Sequence, residues 1–445
     1  MQALIPTRLI GCLIVSTLCG TATADDWPQW MGPRRDGIWR ETGILDSIPK
    51  HGLPVKWRTR VQLGYGGPAV ADGKVFVMDY VRNSGELINT PGGVSRLTGK
   101  ERVLCISAND GKLLWNYEYD QPYSISYARG PRCTPTVDGN RVYTCGAEGR
   151  LVCLNTDTGV VVWSRQLTED YATQTPIWGF AAHPLVAGEL LYAIVGGKGS
   201  VCVAFDKHTG KEVWRALSAS EPGYCPPTMI EHAGREQLLI WHPEAITSLE
   251  PATGDELWSL PIKAGFSMSI IAPRKLGNQL YISAIGDVSA MITLDDKEPA
   301  ASIAWRGKPK MSVFCSNGTP FLLDGMIYGC DVETGALIGA RMDNGARLWQ
   351  TTRPLHNSRG RARHATAFLI RHQDRFFLFN ELGDLILATL SRDGYMEHGR
   401  FHVLDPTNEA FGRPVVWSYP AFAQKCMFAR NDEELVCVNL AADAQ

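Results

Sequence analysis

The stretch Leu151-Val-Cys-Leu-Asn-Thr-Asp-Thr-Gly-Val-Val-Val-Trp163 reads as strand, tight turn, strand. A small residue, Cys153, stands six positions before Gly159, and Trp163 stands four after it. The same frame returns at Cys105, Gly111, Trp115, at Ala204, Gly210, Trp214, and at Ser248, Gly254, Trp258. It returns again at Gly339, Gly345, Trp349, and at Ala388 and Gly394 with His398 in the Trp place. Turn formers precede each glycine: Thr158, Thr209 and Thr253, or Asp110, Asn344 and Asp393. The glycine supplies the positive φ that such a turn demands.

The turn glycines are spaced by 48, 51, 44, 91 and 49 residues, and 91 is two steps with one copy skipped. The skipped copy ends at Trp305, with a degenerate turn near Asp296 and Lys297. A period of about 40–50 residues with four short strands per unit marks a β-propeller. Trp115, Trp163, Trp214, Trp258, Trp305, Trp349 and the His398 region close seven units. An eighth begins at Pro420, places Cys437 in the small-residue position, and stops before any outer strand. Pro54-Val-Lys-Trp57 looks like an outer strand with nothing before it. The expected fold is therefore all-β: an eight-bladed propeller of four-stranded antiparallel blades, with the N-terminal strand closing the last blade. Seven blades is the alternative count. Closure removes exposed sheet edges.

Residues 1–24 read as a signal peptide: Arg8, the apolar run Leu9 to Leu18, and a small-x-small site at Ala22-Thr-Ala24. Leu9-Ile-Gly-Cys12 resembles a lipobox, but Arg8 leaves it almost no apolar run. An exported protein is expected, periplasmic, secreted or held in the cell envelope. No other stretch is apolar for long enough to span a bilayer. Charge is balanced, 44 Lys and Arg against 46 Asp and Glu, which argues against nucleic acid and acidic membrane surfaces as partners. A monomer is expected. Cys105, Cys153 and Cys437 hold the repeat's small-residue place and read as core positions.

Residues 25–53 read as a strap across the propeller, anchored by Trp27 and Trp30, with residues 54–445 forming the single propeller domain. The Gly-x3-Trp blades resemble the pyrroloquinoline-quinone (PQQ) type of propeller repeat. Trp27-Pro-Gln-Trp-Met-Gly-Pro-Arg-Arg-Asp-Gly37 and Glu41-Thr-Gly-Ile-Leu45 resemble a branch of exported bacterial PQQ-like propeller proteins. The likeness spans nearly all of the chain after residue 24. It implies kinship with two kinds of protein. One is the quinoprotein alcohol dehydrogenases, which are enzymes. The other is the propeller lipoprotein of outer-membrane protein assembly, which is a scaffold.

The first strand of each blade lines the channel, and Pro68, Pro135, Pro184, Pro227, Pro273, Pro320, Thr366 and Pro420 mark where those strands begin. Residues just before these marks and in the feeding loops are the expected ligand-binding set: Tyr65, Arg129, Arg132, Trp178, His183, Tyr224, Asn317, Arg361, Arg363, His364 and Trp417. The blander expectation is that they satisfy strand ends and channel water. The basic members could instead be solvated loop residues. The insertion from Asn83 to Arg102 reads as a long loop.

Gly99-Lys100 lacks the remaining glycine and Ser/Thr of a phosphate loop, and neither His-Glu-x-x-His nor Gly-x-Ser-x-Gly occurs. Nothing nominates a catalytic residue or a metal ligand. The five residues before each strand mark include no Asp or Glu. That speaks against Ca²⁺, which takes hard oxygen ligands. The first reading is a non-catalytic exported propeller without cofactor that binds a protein partner or a small anionic ligand at the channel mouth. The alternative is a dehydrogenase using PQQ and Ca²⁺. A third is a polysaccharide-binding module, with the aromatics as stacking platforms.

Overall fold

A computed structural model describes residues 25–356 and 362–443. The signal-peptide reading and Arg361 therefore lie outside the described residues. Among the described residues, eight antiparallel blades follow one another around an axis, each built on four strands in up-and-down order, the first with a fifth strand at its edge. The eighth holds Ala421–Ala423, Cys426–Arg430 and Glu434–Asn439, and its outer strand is Val55–Arg60 from the start of the chain. Val55↔Val438 and Arg60↔Glu434 bracket that pairing, so the ring is closed by the N-terminal strand.

The repeated Trp and Gly explain how blades join. Except for Trp258, each repeat Trp projects from an outer strand onto the turn of the next blade and gives its indole N–H to a carbonyl there. Trp163 Nε1 donates to Lys207 O, Trp214 Nε1 to Pro251 O, and Trp57 Nε1 to Ala108 O, each at 2.9 Å. Trp57 thus carries the same joint across the closure. Under the Trp ring the turn glycines Gly111, Gly159, Gly210 and Gly254 have no room for a side chain: a Cβ on Gly210 would stand 2.6 Å from the Trp163 ring. The small residue lies opposite Trp across the ladder, as in Cys153↔Trp163 and Cys437↔Trp57. All ten described cysteines are buried without a disulfide.

Two blades depart from the frame. In blade 5 the Asp295 carboxylate accepts from the N–H groups of Lys297 and Glu298 at 2.9 and 3.0 Å, an Asx turn in place of glycine. Trp258 has no glycine to dock on and bonds Gln237 Oε1 of its own blade. In blade 7, His398 occupies the bulge between Glu397 and Gly399 and bonds Thr389 Oγ1. Blade 8 has no turn for a Trp to cover, because its outer strand comes from elsewhere in the chain. Ile48 packs on Gly399 and Phe401 on Gly52 instead.

The insertion in blade 1 is mostly strand, not loop. Lys74–Ser84 and Val94–Ser107 continue as one long hairpin, and Tyr123–Ser126 adds to its edge. Tyr80 and Tyr123 stack there with centroids 4.1 Å apart.

Residues 25–53 run across the end of the channel opposite the strand marks. Backbone bonds tie Trp27 to Val70 of blade 1, Pro28 O to Val137 of blade 2, Trp39 to Arg371 of blade 7, and Leu45 to Leu440 beside blade 8. The Arg35 guanidinium reaches Pro184 O of blade 3 and Pro227 O of blade 4, and Arg274 of blade 5 grips Arg35 O and Asp36 O. The segment therefore touches seven blades. Trp27, Met31 and Trp39 are buried among them.

Candidate functional site at the channel mouth

The strand starts converge on a cavity of about 240 Å³ at the end of the channel that the strap leaves open. Seven of the residues anticipated from sequence line it: Tyr65, Arg132, Trp178, His183, Tyr224, Asn317 and Trp417. Trp30 of the strap reaches the same cavity from below and stacks on His183, centroids 4.8 Å apart. Phe368, Tyr127 and Tyr419 complete a mainly aromatic wall.

Arg132 is held rigidly. Its Nε donates to Trp178 O at 2.8 Å, its Nη1 to Gly130 O, and its Nη2 to Ser126 O and Tyr127 O. Its guanidinium lies over the Tyr65 ring, 5.3 Å from the centroid. Tyr65 in turn accepts from Asn408 at 3.0 Å, and burial pushes its phenol up to about 12. His183 accepts the Thr134 N–H on Nδ1 at 2.9 Å, which places its proton on Nε2. Burial first, and the nearby Arg35 charge second, hold His183 well below the usual histidine range, so the ring stays neutral. Burial likewise brings Arg35 down to about 9.

Among the described residues no Asp or Glu lines the cavity. The nearest buried acids are already engaged. Glu381 accepts from Arg413 and Trp417, Asp432 from Arg129, and Glu101 from Tyr119, Tyr123 and the Ala147 N–H. The hydroxyls of Tyr127, Thr134 and Tyr419 are buried without a partner among the described residues. Orphaned buried hydroxyls of this kind are ordinarily met by water or a ligand.

The remaining anticipated residues lie off the lining. Arg129 pairs with Asp432 at 2.9 Å and bonds Thr407 O. Arg363 is exposed and pairs with Glu333. His364 sits behind Asn317, bonds Ser316 Oγ and stacks on Phe411 at 4.5 Å. Phe411 tips the hairpin Asn408–Ala410/Arg413–Val415, which bridges blades 7 and 8 beside the mouth. Trp30, Tyr127 and Phe368 were not anticipated at the mouth. Only Phe368 carried a signal, two positions after the Thr366 mark on the same strand face.

His364 gives a pH prediction. Burial, with Arg363 and Arg413 nearby, lowers it from 6.5 to about 4. A depressed base contributes stability that is complete above its unfolded pKa and lost as pH falls through the window from 6.5 toward 4. At pH 5 the loss is of order 2 kcal/mol. Asparagine tolerates the left-handed backbone here, φ 62°. His364→Asn should therefore lose about that much less stability between pH 7 and pH 5 in denaturant titrations. Identical pH profiles would refute the assignment.

Comparison with known proteins sets this geometry in a family. The sequence model described as outer membrane protein assembly factor BamB matches residues 99–351 and 242–444. The chain belongs to that family. Among solved structures, BamB from Moraxella catarrhalis superposes with a TM-score of 0.51 at 15% identity, covering 82% of this chain and 98% of the other. Quinohemoprotein alcohol dehydrogenase from Comamonas testosteroni superposes with a TM-score of 0.57 at 12% identity, covering 94% and 81%. These likenesses establish the fold that this BamB-family chain shares with both. By sequence, the chain is 31% identical over 169 residues to quinohemoprotein alcohol dehydrogenase ADH IIB of Pseudomonas putida, covering 36% of this chain and 22% of the other. It is 26% identical over 243 residues to ADH-IIG of the same species, covering 51% and 32%. The BamB-family chain thus spans less than a third of the length of these two curated relatives. No described helix is long and apolar enough to cross a membrane.

Proposed function

We propose that this chain is an exported, non-catalytic propeller that binds a small anionic ligand at the channel mouth. One observation carries the reading: the cavity combines a fixed guanidinium with aromatic walls and has no carboxylate in its lining. Such a lining favours an anion and disfavours a divalent cation. A protein partner is the second reading, favoured by the match to the BamB family. The relatives named for alcohol dehydrogenation raise the alternative of PQQ with Ca²⁺. The donor set does not fit it, because Ca²⁺ takes about six to eight oxygen ligands, commonly with Asp or Glu among them. At this mouth the side-chain oxygens come from Thr134, Ser316, Asn317, Thr319 and tyrosines.

The test is direct. Purified protein supplied with PQQ and Ca²⁺ should show no dye-linked oxidation of alcohols or sugars. Saturable turnover abolished by a chelator would replace this reading with the dehydrogenase. Pull-down from the native envelope fraction, with and without competing small anions, separates the ligand reading from the partner reading.

A further inference from the structure

We infer that the mouth is built for a flat ring system bearing a single carboxylate, an inference that rests on the anionic-ligand reading. The donors come first. A guanidinium has five N–H groups. Four of those on Arg132 are committed to the carbonyls of Trp178, Gly130, Ser126 and Tyr127, which leaves one on Nη1. His183 commits Nδ1 to the Thr134 N–H, so its Nε2–H is the second donor, and it has no protein acceptor among the described residues. Both residues line the same cavity. Two fixed N–H groups match the two oxygens of a carboxylate. A phosphate or sulfate has no flat face to set against the aromatic walls of this cavity.

The walls fix the rest of the ligand. Trp178 stands edge-on to Tyr224, with centroids 5.7 Å apart, and Trp417 lies against Tyr127. Trp30 forms the floor on His183. Flat faces around a narrow space favour a flat guest through offset or edge stacking. A volume of about 240 Å³ has room for one ring or two fused rings. Arg35 adds a second positive charge close to His183, with no carboxylate in contact.

The full chain would be titrated with 2-naphthoate, 2-naphthamide, acetate and inorganic phosphate, read by calorimetry and tryptophan fluorescence. We expect 2-naphthoate to bind and quench fluorescence, with the amide and both small anions at least tenfold weaker. His183→Phe keeps the ring on Trp30 but removes the donor, and should weaken 2-naphthoate at least tenfold. Its melting temperature reports whether it has folded. The comparison of acid with amide on the unaltered protein holds even if that variant fails. Acetate or phosphate binding as tightly as 2-naphthoate would overturn the flat-carboxylate inference and leave the anionic reading standing. Equal binding of acid and amide, or no binding of any anion, would overturn both. Binding of 2-naphthoate unchanged in folded His183→Phe would overturn this assignment of the donor.

Discussion

Deleting residues 25–60 should convert this protein from a closed ring into an aggregating species. The deletion removes two things at once. The strand Val55–Arg60 leaves, and Glu434–Asn439 becomes an exposed edge with unpaired backbone groups. The strap leaves as well, and with it Trp27, Trp30, Met31 and Trp39, all buried against the propeller. Blade 1 also loses Trp57, which covers Gly111. Size-exclusion chromatography with light scattering is the measurement. A monomeric product with an unchanged melting temperature would show that the N-terminal segment contributes nothing to closure.

Trp214→Ala should cost about 3–5 kcal/mol, the range for truncating a buried tryptophan. Trp214 is 8% exposed, bonds Pro251 O across the joint, and lies 5.8 Å from Tyr192. The matching substitution on the other side of the joint is Gly254→Ala. Its Cβ would sit 2.5 Å from the Trp214 ring, on a backbone with φ 78°. Both variants should lower the denaturant midpoint, and the double variant should cost less than their sum because they damage one contact. A loss below about 1 kcal/mol for Trp214→Ala would place that side chain on the surface, against the joint described here.

The fold was legible because the joint is written into most copies. A turn that needs positive φ and a Trp that needs a bare turn leave Gly and Trp four residues apart. Where the joint is absent the sequence loses its mark: blade 5 turns on Asp295 instead of glycine, so Trp258 bonds Gln237 of its own blade, and His398 slips into the bulge. The blade 1 insertion misled for another reason. Its loop residues stand only at the tip, and the rest continues the two strands. At the mouth, proline at the strand starts located Tyr65, Arg132, His183 and Tyr224. Charge alone did not distinguish Arg132 from Arg129 or Arg363. Their partners, Asp432 and Glu333, come from distant turns, and no local pattern announces a pairing across 303 residues. Trp30 was hidden for the same reason, since it enters the cavity from a segment that belongs to no blade.

The strap also dictates an order of events in folding. Val55–Arg60 is made before any blade, yet its partner Glu434–Asn439 is made after all of them. Arg35 has no carbonyls to hold until blades 3 and 4 exist side by side. The earliest part of the chain must therefore wait, with its four tryptophans uncovered, while the blades assemble. Pairings so far apart in sequence form slowly, since the chain must close a long loop before the contact returns any free energy. During that wait both the tryptophans and the last blade's open edge are available to other molecules.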